Sequence, residues 1–272
     1  MDHLLVHSSE ASSSGCIVEV TPESANWQYV GFCVHRLNEK GAFTKSASDQ
    51  ETCIVILSGK IDFLTTSGVS EAVYYQGIGE RNSVFDPISP YAIYVPAGVS
   101  YQIDAITQTE IALCSAPGSE AHKVRLIRPE QISVEKRGEG SNTRFVRNIL
   151  PETEIADSLL IAEVITPSGN WSSYPPHKHD ADNLPLESAL EETYYHRLNP
   201  PQGFAFQRVY TDDRSLDETM SVSDGDVVMV PEGYHPVGVP HGYELYYLNV
   251  MAGPKRAWVF ANDPEHDWIA KS

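Results

Sequence analysis

The chain has 272 residues, enough for one large domain or two small ones that bury a core without staples. Apolar residues make up 41% and charged residues 21%, which excludes a disordered or low-complexity chain. A net charge of -18 leaves no basic footprint for nucleic acid or an anionic membrane surface. No apolar run reaches the ~18 residues of a membrane-crossing helix, and the opening MDHLLVHSSEASSSG has neither a basic stretch nor an apolar one, so no secretion signal is expected. The four cysteines, Cys16, Cys33, Cys53 and Cys114, form no CxxC pair, and the second half has none. That usage fits free thiols in a reducing cytoplasm.

In chain order, short β-branched and aromatic runs end in Gly, Pro or Ser-Gly: 53–63 (CIVILSGKIDF), 91–98 (YAIYVPAG), 159–169 (LLIAEVITPSG), 226–233 (DVVMVPEG) and 243–253 (YELYYLNVMAG). This is the pattern of strands and turns. The segment 186–196 (LESALEETYYH) is expected to open as a helical turn and continue as a strand, and 263–272 as a short C-terminal helix. The fold class expected is all-β, a sandwich or barrel.

A repeat is also visible. Ala92–Ser100 matches Val227–His235: four mainly apolar residues, then Pro-x-Gly, then two more. Upstream, Glu51-Thr52 matches Glu192-Thr193, 45 residues before Pro96 in one case and 39 before Pro231 in the other. Two matches in the same order predict a duplicated β domain. The seam is placed near residue 140, in the polar stretch 131–143, giving domains 1–140 and 141–272.

The densest chemical signal is Pro175-Pro176-His177-Lys178-His179-Asp180. In a strand, residues two apart face the same way, so His177 and His179 can present two imidazoles to one ion, with Lys178 turned away. His235, after Pro231-x-Gly233, can add a third imidazole. A carboxylate can come from Glu192 or its neighbour Glu191; Glu192 is preferred because of its match to Glu51. Such a set suits a divalent ion, Zn above all, with Mn, Fe, Co or Ni as alternatives, and leaves coordination positions open for a substrate. In the first half Ser100 stands where His235 stands and residues 36–121 contain no histidine, so metal is expected in the second half only.

HxH, a following Glu and a later His after P-x-G resemble the two motifs of the cupin superfamily. Twelve residues, 180–191, separate His179 from Glu192, where the superfamily usually has only a few, so an insertion is inferred. More narrowly, SSYPPHKHDADNLPLESALEETYYHRLNPPQGFAFQRVY and HPVGVPHGYELYYLNVMAGPKRAW resemble the 5-deoxy-glucuronate isomerases of myo-inositol catabolism, relatives of the 4-deoxy-L-threo-5-hexosulose-uronate ketol-isomerases. LSGKIDF and RNIL extend the likeness over most of the chain. The resemblance implies a bicupin of two double-stranded β-helix (jelly-roll) barrels, and conversion of 5-deoxy-D-glucuronate to 5-dehydro-2-deoxy-D-gluconate. It also implies a divalent metal on His177, His179, Glu192 and His235.

Aldose–ketose isomerisation needs a base to move a proton between adjacent carbons. His241 and Tyr246, which follow the His235 strand, rank first for that role, ahead of Glu191 and Tyr194. His196, four residues after Glu192, shares its face if the strand is regular. The substrate carboxylate calls for a cation, and Arg208, Arg256 and Arg147 are the candidates. The partner expected is this small sugar acid, with an edge-strand homodimer as a weaker expectation. Two rival readings stay open, a metal-dependent cupin dioxygenase and a non-catalytic sugar-binding bicupin.

Overall fold

The computed structural model describes residues 4–271. The chain forms two units. One holds 9–133 and 149–159, the other 4–8, 134–148 and 160–271. Among the described residues no helix is long and apolar enough to cross a membrane.

The N-terminal unit has a six-stranded antiparallel sheet in the order Arg125–Ile127, Ala92–Val95, Gln50–Ser58, Thr109–Pro117, Gly31–Leu37, Cys16–Val20. Its four-stranded sheet runs Ala42–Lys45, Ser100–Ala105, Ile61–Ser67, Tyr74–Ile78. Alternate residues of these strands, among them Ile54, Ile56, Ile93, Val95, Tyr101 and Ile103, make one apolar core. The period of two sets which residues share that core, while the central strands Gln50–Ser58, Ala92–Val95 and Thr109–Pro117 are buried on both faces.

The C-terminal unit has the same plan. Its larger sheet runs Leu5–Val6, Val227–Val230, Glu191–Asn199, Glu244–Ala252, Leu160–Thr166, Arg144–Leu150, Ser133–Arg137. Its smaller sheet runs Trp171–Ser172, Val237–Gly238, Ala205–Tyr210, Asp217–Val222. Tyr194, Leu198, Val228, Val230, Leu245 and Tyr247 belong to its core.

Three details differ from the sequence reading. First, the division is not a single cut at 140. The polar stretch read as the seam carries the strand Ser133–Arg137 and a 3-10 turn, Gly140–Asn142. The chain then returns to the N-terminal unit over 149–159. The return is anchored by the buried Glu51 carboxylate, which accepts from the backbone N–H of Asp157 (2.8 Å), Ser158 (2.7 Å) and Leu159 (2.7 Å) and from the Tyr94 hydroxyl (2.6 Å). Residues 4–8 go the other way, with Leu5 and Val6 pairing onto Val228 and Val227.

Second, 186–190 forms no helical turn. Glu187–Ala189 is a strand paired with Asp180–Asn183, and Glu187 closes the hairpin by accepting from the N–H of Asp180 (2.8 Å) and Ala181 (3.2 Å). At the C terminus, helix is limited to a 3-10 segment, Asp267–Lys271.

Third, the repeat is one residue out of register. Thr52 pairs with Val95, and Glu192 pairs with Val230; each partner immediately precedes a proline. Aligned on Pro96 and Pro231, Thr52 takes the place of Glu192 and Glu51 that of Glu191. One residue of slip reverses the face of a strand. Thr52 shares its face with the core residues Ile54 and Ile56, whereas Glu51 points the other way.

Candidate metal centre

Three side chains, those of His179, Glu192 and His235, converge at the interior of the C-terminal unit, and the ring of His177 lies against His235. His177 opens a two-residue strand paired with Ala261–Asn262. His179 follows it. The hairpin over 180–189 then turns the chain back so that Leu190 lies opposite His179, its N–H bonded to the His179 carbonyl at 2.9 Å. That return is what the twelve intervening residues accomplish, since it sets Glu192 beside His179. His235 follows a turn at Gly233, whose φ of +90° and whose approach to the Tyr210 carbonyl leave no room for a Cβ. Lys178 points away, as its alternation requires, and bonds Asp180 (2.9 Å) and Asp212 (3.0 Å).

The hydrogen bonds fix which atoms face inward. His179 Nδ1 lies 3.2 Å from the Leu190 carbonyl, and His235 Nδ1 lies 2.8 Å from the Gly233 carbonyl. A carbonyl only accepts, so both Nδ1 atoms carry the proton and each neutral ring turns a bare Nε2 inward. Those Nε2 atoms stand 3.1 and 3.3 Å from the same oxygen, Glu192 Oε2. The other carboxylate oxygen accepts from Asn249 Nδ2. His177 is likewise bonded to the Pro175 backbone, and its ring lies edge-on to His235 with centroids 4.9 Å apart.

The result is a buried cluster of acceptors turned toward one point. All four residues are at least nine-tenths buried, and His235 Nε2 has no hydrogen-bond partner. Only a cation, a proton or a metal ion, relieves that arrangement. Burial pushes His177 and His235 down to about 3, so both stay neutral. Burial acts the same way on His179, but the hydrogen bond that its Nε2 makes to Glu192 once the ring is protonated, with the charge of that carboxylate, outweighs it and raises its pKa. The ligand atoms of His179, Glu192 and His235 lie within 4.8 Å of one another, and imidazole nitrogen with carboxylate oxygen is a donor set for borderline divalent ions. The outer ring nitrogens on backbone carbonyls are the usual support of metal-binding histidines. These residues therefore fit a divalent ion.

A profile of the KduI/IolB family matches residues 4–269. The chain belongs to the KduI/IolB family. Proteins called 5-deoxy-glucuronate isomerase are similar over its length. That of Geobacillus kaustophilus (strain HTA426) is 55% identical over 272 residues, covering 100% of this chain and 97% of the relative. That of Bacillus subtilis (strain 168) is 51% identical over 252 residues, 92% and 91% of the two chains. An IolB-like protein from Salmonella typhimurium LT2 superposes with a TM-score of 0.94 at 48% identity, over 98% of this chain and 99% of that one. The Lactobacillus farciminis oxalate decarboxylase gives a TM-score of 0.67 at 14% identity, over 99% and 90%, a likeness of fold alone. The architecture is that of a bicupin.

For this member of the KduI/IolB family the other expected site residues fall elsewhere. His241 is exposed in the turn before the Glu244–Ala252 strand. Tyr246 is buried, but it alternates with the core residues Leu245 and Tyr247 and turns to the opposite face, where its hydroxyl donates to Glu163 at 2.9 Å. Glu191 alternates with Glu192 and likewise leaves the interior. Among the arginines, Arg147 pairs with the same buried Glu163 at 2.8 Å. Arg208 makes a two-pronged pair with Asp217 (2.7 Å) and stacks on Tyr210. Arg256 does not line the cavity that opens beside His177.

His196 shares the interior face with Glu192, but its ring stacks on Tyr194 and bonds Gln207 at 2.8 Å. Two residues of the site went unread in the sequence. Asn249 orients Glu192, and Arg144 lines the cavity beside His177. Arg144 had one available signal: it opens the strand that ends in the RNIL motif.

Proposed function

We propose that this protein is a 5-deoxy-glucuronate isomerase of myo-inositol catabolism, converting 5-deoxy-D-glucuronate to 5-dehydro-2-deoxy-D-gluconate. We assign its one divalent ion, zinc by preference, to His177, His179, Glu192 and His235. The observation that carries this is the buried convergence of imidazole lone pairs and a carboxylate in a chain 50–55% identical to proteins of that name.

The reaction moves a hydrogen between the carbonyl carbon and its neighbour, and the barrier is the negative charge that builds on the sugar oxygens. A bound divalent ion supplies Lewis-acid stabilisation of that charge. The protein's own part is positioning. His179 and His235 are held by backbone carbonyls and Glu192 by Asn249, so the donor set is rigid before substrate arrives. Tyr194 and Tyr247 lie close enough to feel the charges of both Glu192 and Arg144. Burial raises both phenols, so both stay protonated. Tyr194 is bonded to Ser173 (2.9 Å) and Tyr247 to Ser172. Free thiols at all four cysteines support a cytoplasmic setting.

The test is an NMR assay on 5-deoxy-D-glucuronate with zinc-loaded protein under anaerobic conditions. Turnover to the ketose supports the reading, since zinc has no redox chemistry. An inactive zinc form beside an iron form that consumes oxygen with the sugar acid would replace it with a dioxygenase.

A further inference from the structure

An acidic sugar needs a cation placed at a distance from the reacting carbons, and the three arginines read from the sequence do not meet that need. A fourth does. Arg144 opens the strand Arg144–Leu150 and shares the face of Val146, a core residue, while Arg147 takes the opposite face. Its Nη1 donates to the backbone carbonyls of Asn142 (3.2 Å) and Tyr174 (3.1 Å). These bonds hold the guanidinium plane but use only one of its three nitrogens. Among the described residues Nε and Nη2 bond no acceptor, yet neither is sealed from solvent.

Arg144 also forms no ion pair among the described residues. Arg36, Arg137, Arg147, Arg197 and Arg208 each have a carboxylate partner. The groups nearest Arg144 in charge are Tyr247, Tyr194 and Arg137, none of them an anion at neutral pH. Burial and Arg137 together pull its pKa down, the signature of a cation without a counter-charge.

The surroundings indicate what is missing. Arg144 and His177 line one cavity of about 600 Å3, with Tyr174, Asn142, Phe260 and Asn262 among its walls. Among the described residues the only carboxylate lining it belongs to Glu139, which is exposed. The cavity thus sets a guanidinium fork, without a carboxylate partner among the described residues, on the same wall as His177, whose ring touches His235 of the donor set. A linear six-carbon uronate has a carboxylate at one end and an aldehyde at the other.

We infer that Arg144 is the carboxylate-binding residue of this site, gripping the uronate end of the substrate through Nε and Nη2 while the carbonyl end faces His177. A planar fork matches a carboxylate with two parallel charge-assisted hydrogen bonds, a geometry lysine cannot reproduce. The cation therefore selects sugar acids over neutral sugars of the same length. This assignment rests on the isomerase reading for the identity of the substrate, but not for the chemistry of the subsite.

The experiment compares wild-type protein, R144Q and R144K on 5-deoxy-D-glucuronate and on 5-deoxy-D-glucose, which carries a hydroxymethyl group in place of the carboxylate. Metal content per chain is measured on each as the control for folding. Losing a charged hydrogen-bonding partner costs about 10- to 100-fold in binding. R144Q is expected to raise KM for the acid by that factor, with kcat lowered less, and to lose most of the preference for acid over neutral sugar. R144K should fall between. Unchanged discrimination in a metal-loaded R144Q overturns the assignment while leaving the isomerase reading intact.

If the wild type fails to isomerise the acid, the isomerase reading falls. The subsite is then read from calorimetric binding of D-glucuronate against D-glucose. Glucuronate binding lost in R144Q sustains the assignment, and equal binding by wild type and R144Q, or none by either, overturns it.

Discussion

The two barrels share a plan and differ in what their interiors ask for. In the C-terminal unit, Glu192 pairs with Val230 just before Pro231, and His235 follows four residues after that proline. In the N-terminal unit the same places hold Thr52, opposite Val95, and Ser100, four residues after Pro96. One interior gathers acceptors that await a cation. The other has its own cation at hand, because Lys45 Nζ donates to Thr52 Oγ1 at 3.2 Å. The buried acids differ in the same sense. Glu192 faces two bare imidazole nitrogens, whereas Glu51 accepts four hydrogen bonds from its own unit. A buried carboxylate with every lone pair satisfied is a fastening, and one held against other acceptors favours a cation between them.

This contrast breaks most sharply at Glu192. Glu192→Gln keeps the shape but removes the charge and one ligand. The ion content should fall from one per chain to none, and isomerase activity by more than ~10³-fold, the loss of several kcal/mol of charge stabilisation. Elemental analysis with the NMR assay checks both, and a variant that keeps its metal would refute the ligand assignment.

Stability should move in the opposite pattern. Glu51→Ala strands three backbone N–H groups and the Tyr94 hydroxyl, and should cost about 3 kcal/mol in urea unfolding with metal content unchanged. In metal-free protein, Glu192→Gln should stay within ~1 kcal/mol of wild type or exceed it, because it relieves a crowd of acceptors. Equal losses for the two variants would erase the distinction.

Acid sharpens the comparison further. His196, buried in the C-terminal unit, is pushed down to about 4 by burial, against which its bond to Gln207 works. Its folded pKa lies below the ordinary 6.5, so the unfolded chain binds the proton more readily. The stability tied to its neutral form is complete above pH 6.5, declines as pH falls toward 4, and changes no further below that. His196→Gln should flatten this part of the stability profile of the metal-free protein between pH 6.5 and 4; identical slopes would exclude His196 as the titrating group.

The smallest effect is an expected absence of change. Thr52→Glu with Ser100→His restores two donors to the N-terminal interior. With Lys45 beside the new carboxylate, that double variant should pair internally and still hold one ion per chain by elemental analysis. A second ion would mean that two side chains alone separate the barrels.

Much of the site was legible because its parts lie close in sequence or follow a recognisable turn. HxH gives two imidazoles on one face, and Pro-x-Gly marks the turn that delivers His235. Other residues resisted for one physical reason. In a strand the sequence shows which residues share a face but not which face is inside. Tyr246 and Glu191 sit one residue from Tyr247 and Glu192 and turn outward, and the Glu51 match favoured the acid that faces the interior through a register that the sheet does not adopt. Arg144 was not legible because its one local signal, a place in the strand that ends in RNIL, is shared with Arg147, and only the fold shows which of the two faces a carboxylate.

What the sequence by itself determined was the class of the fold, its doubling, and the three histidines, since strand periodicity, turn glycines and donor spacing are local properties. What only the tertiary structure decided was where the chain crosses between units, which of two adjacent glutamates faces the interior, and that Arg144 faces no carboxylate among the described residues. Each of these depends on groups far apart in the chain meeting, or failing to meet, a complementary charge or hydrogen bond. Glu51 finds Leu159 across 108 residues and Arg147 finds Glu163, while Arg144 finds no carboxylate among the described residues. Such pairing is settled by packing, because a buried polar group takes whichever partner the fold brings within reach.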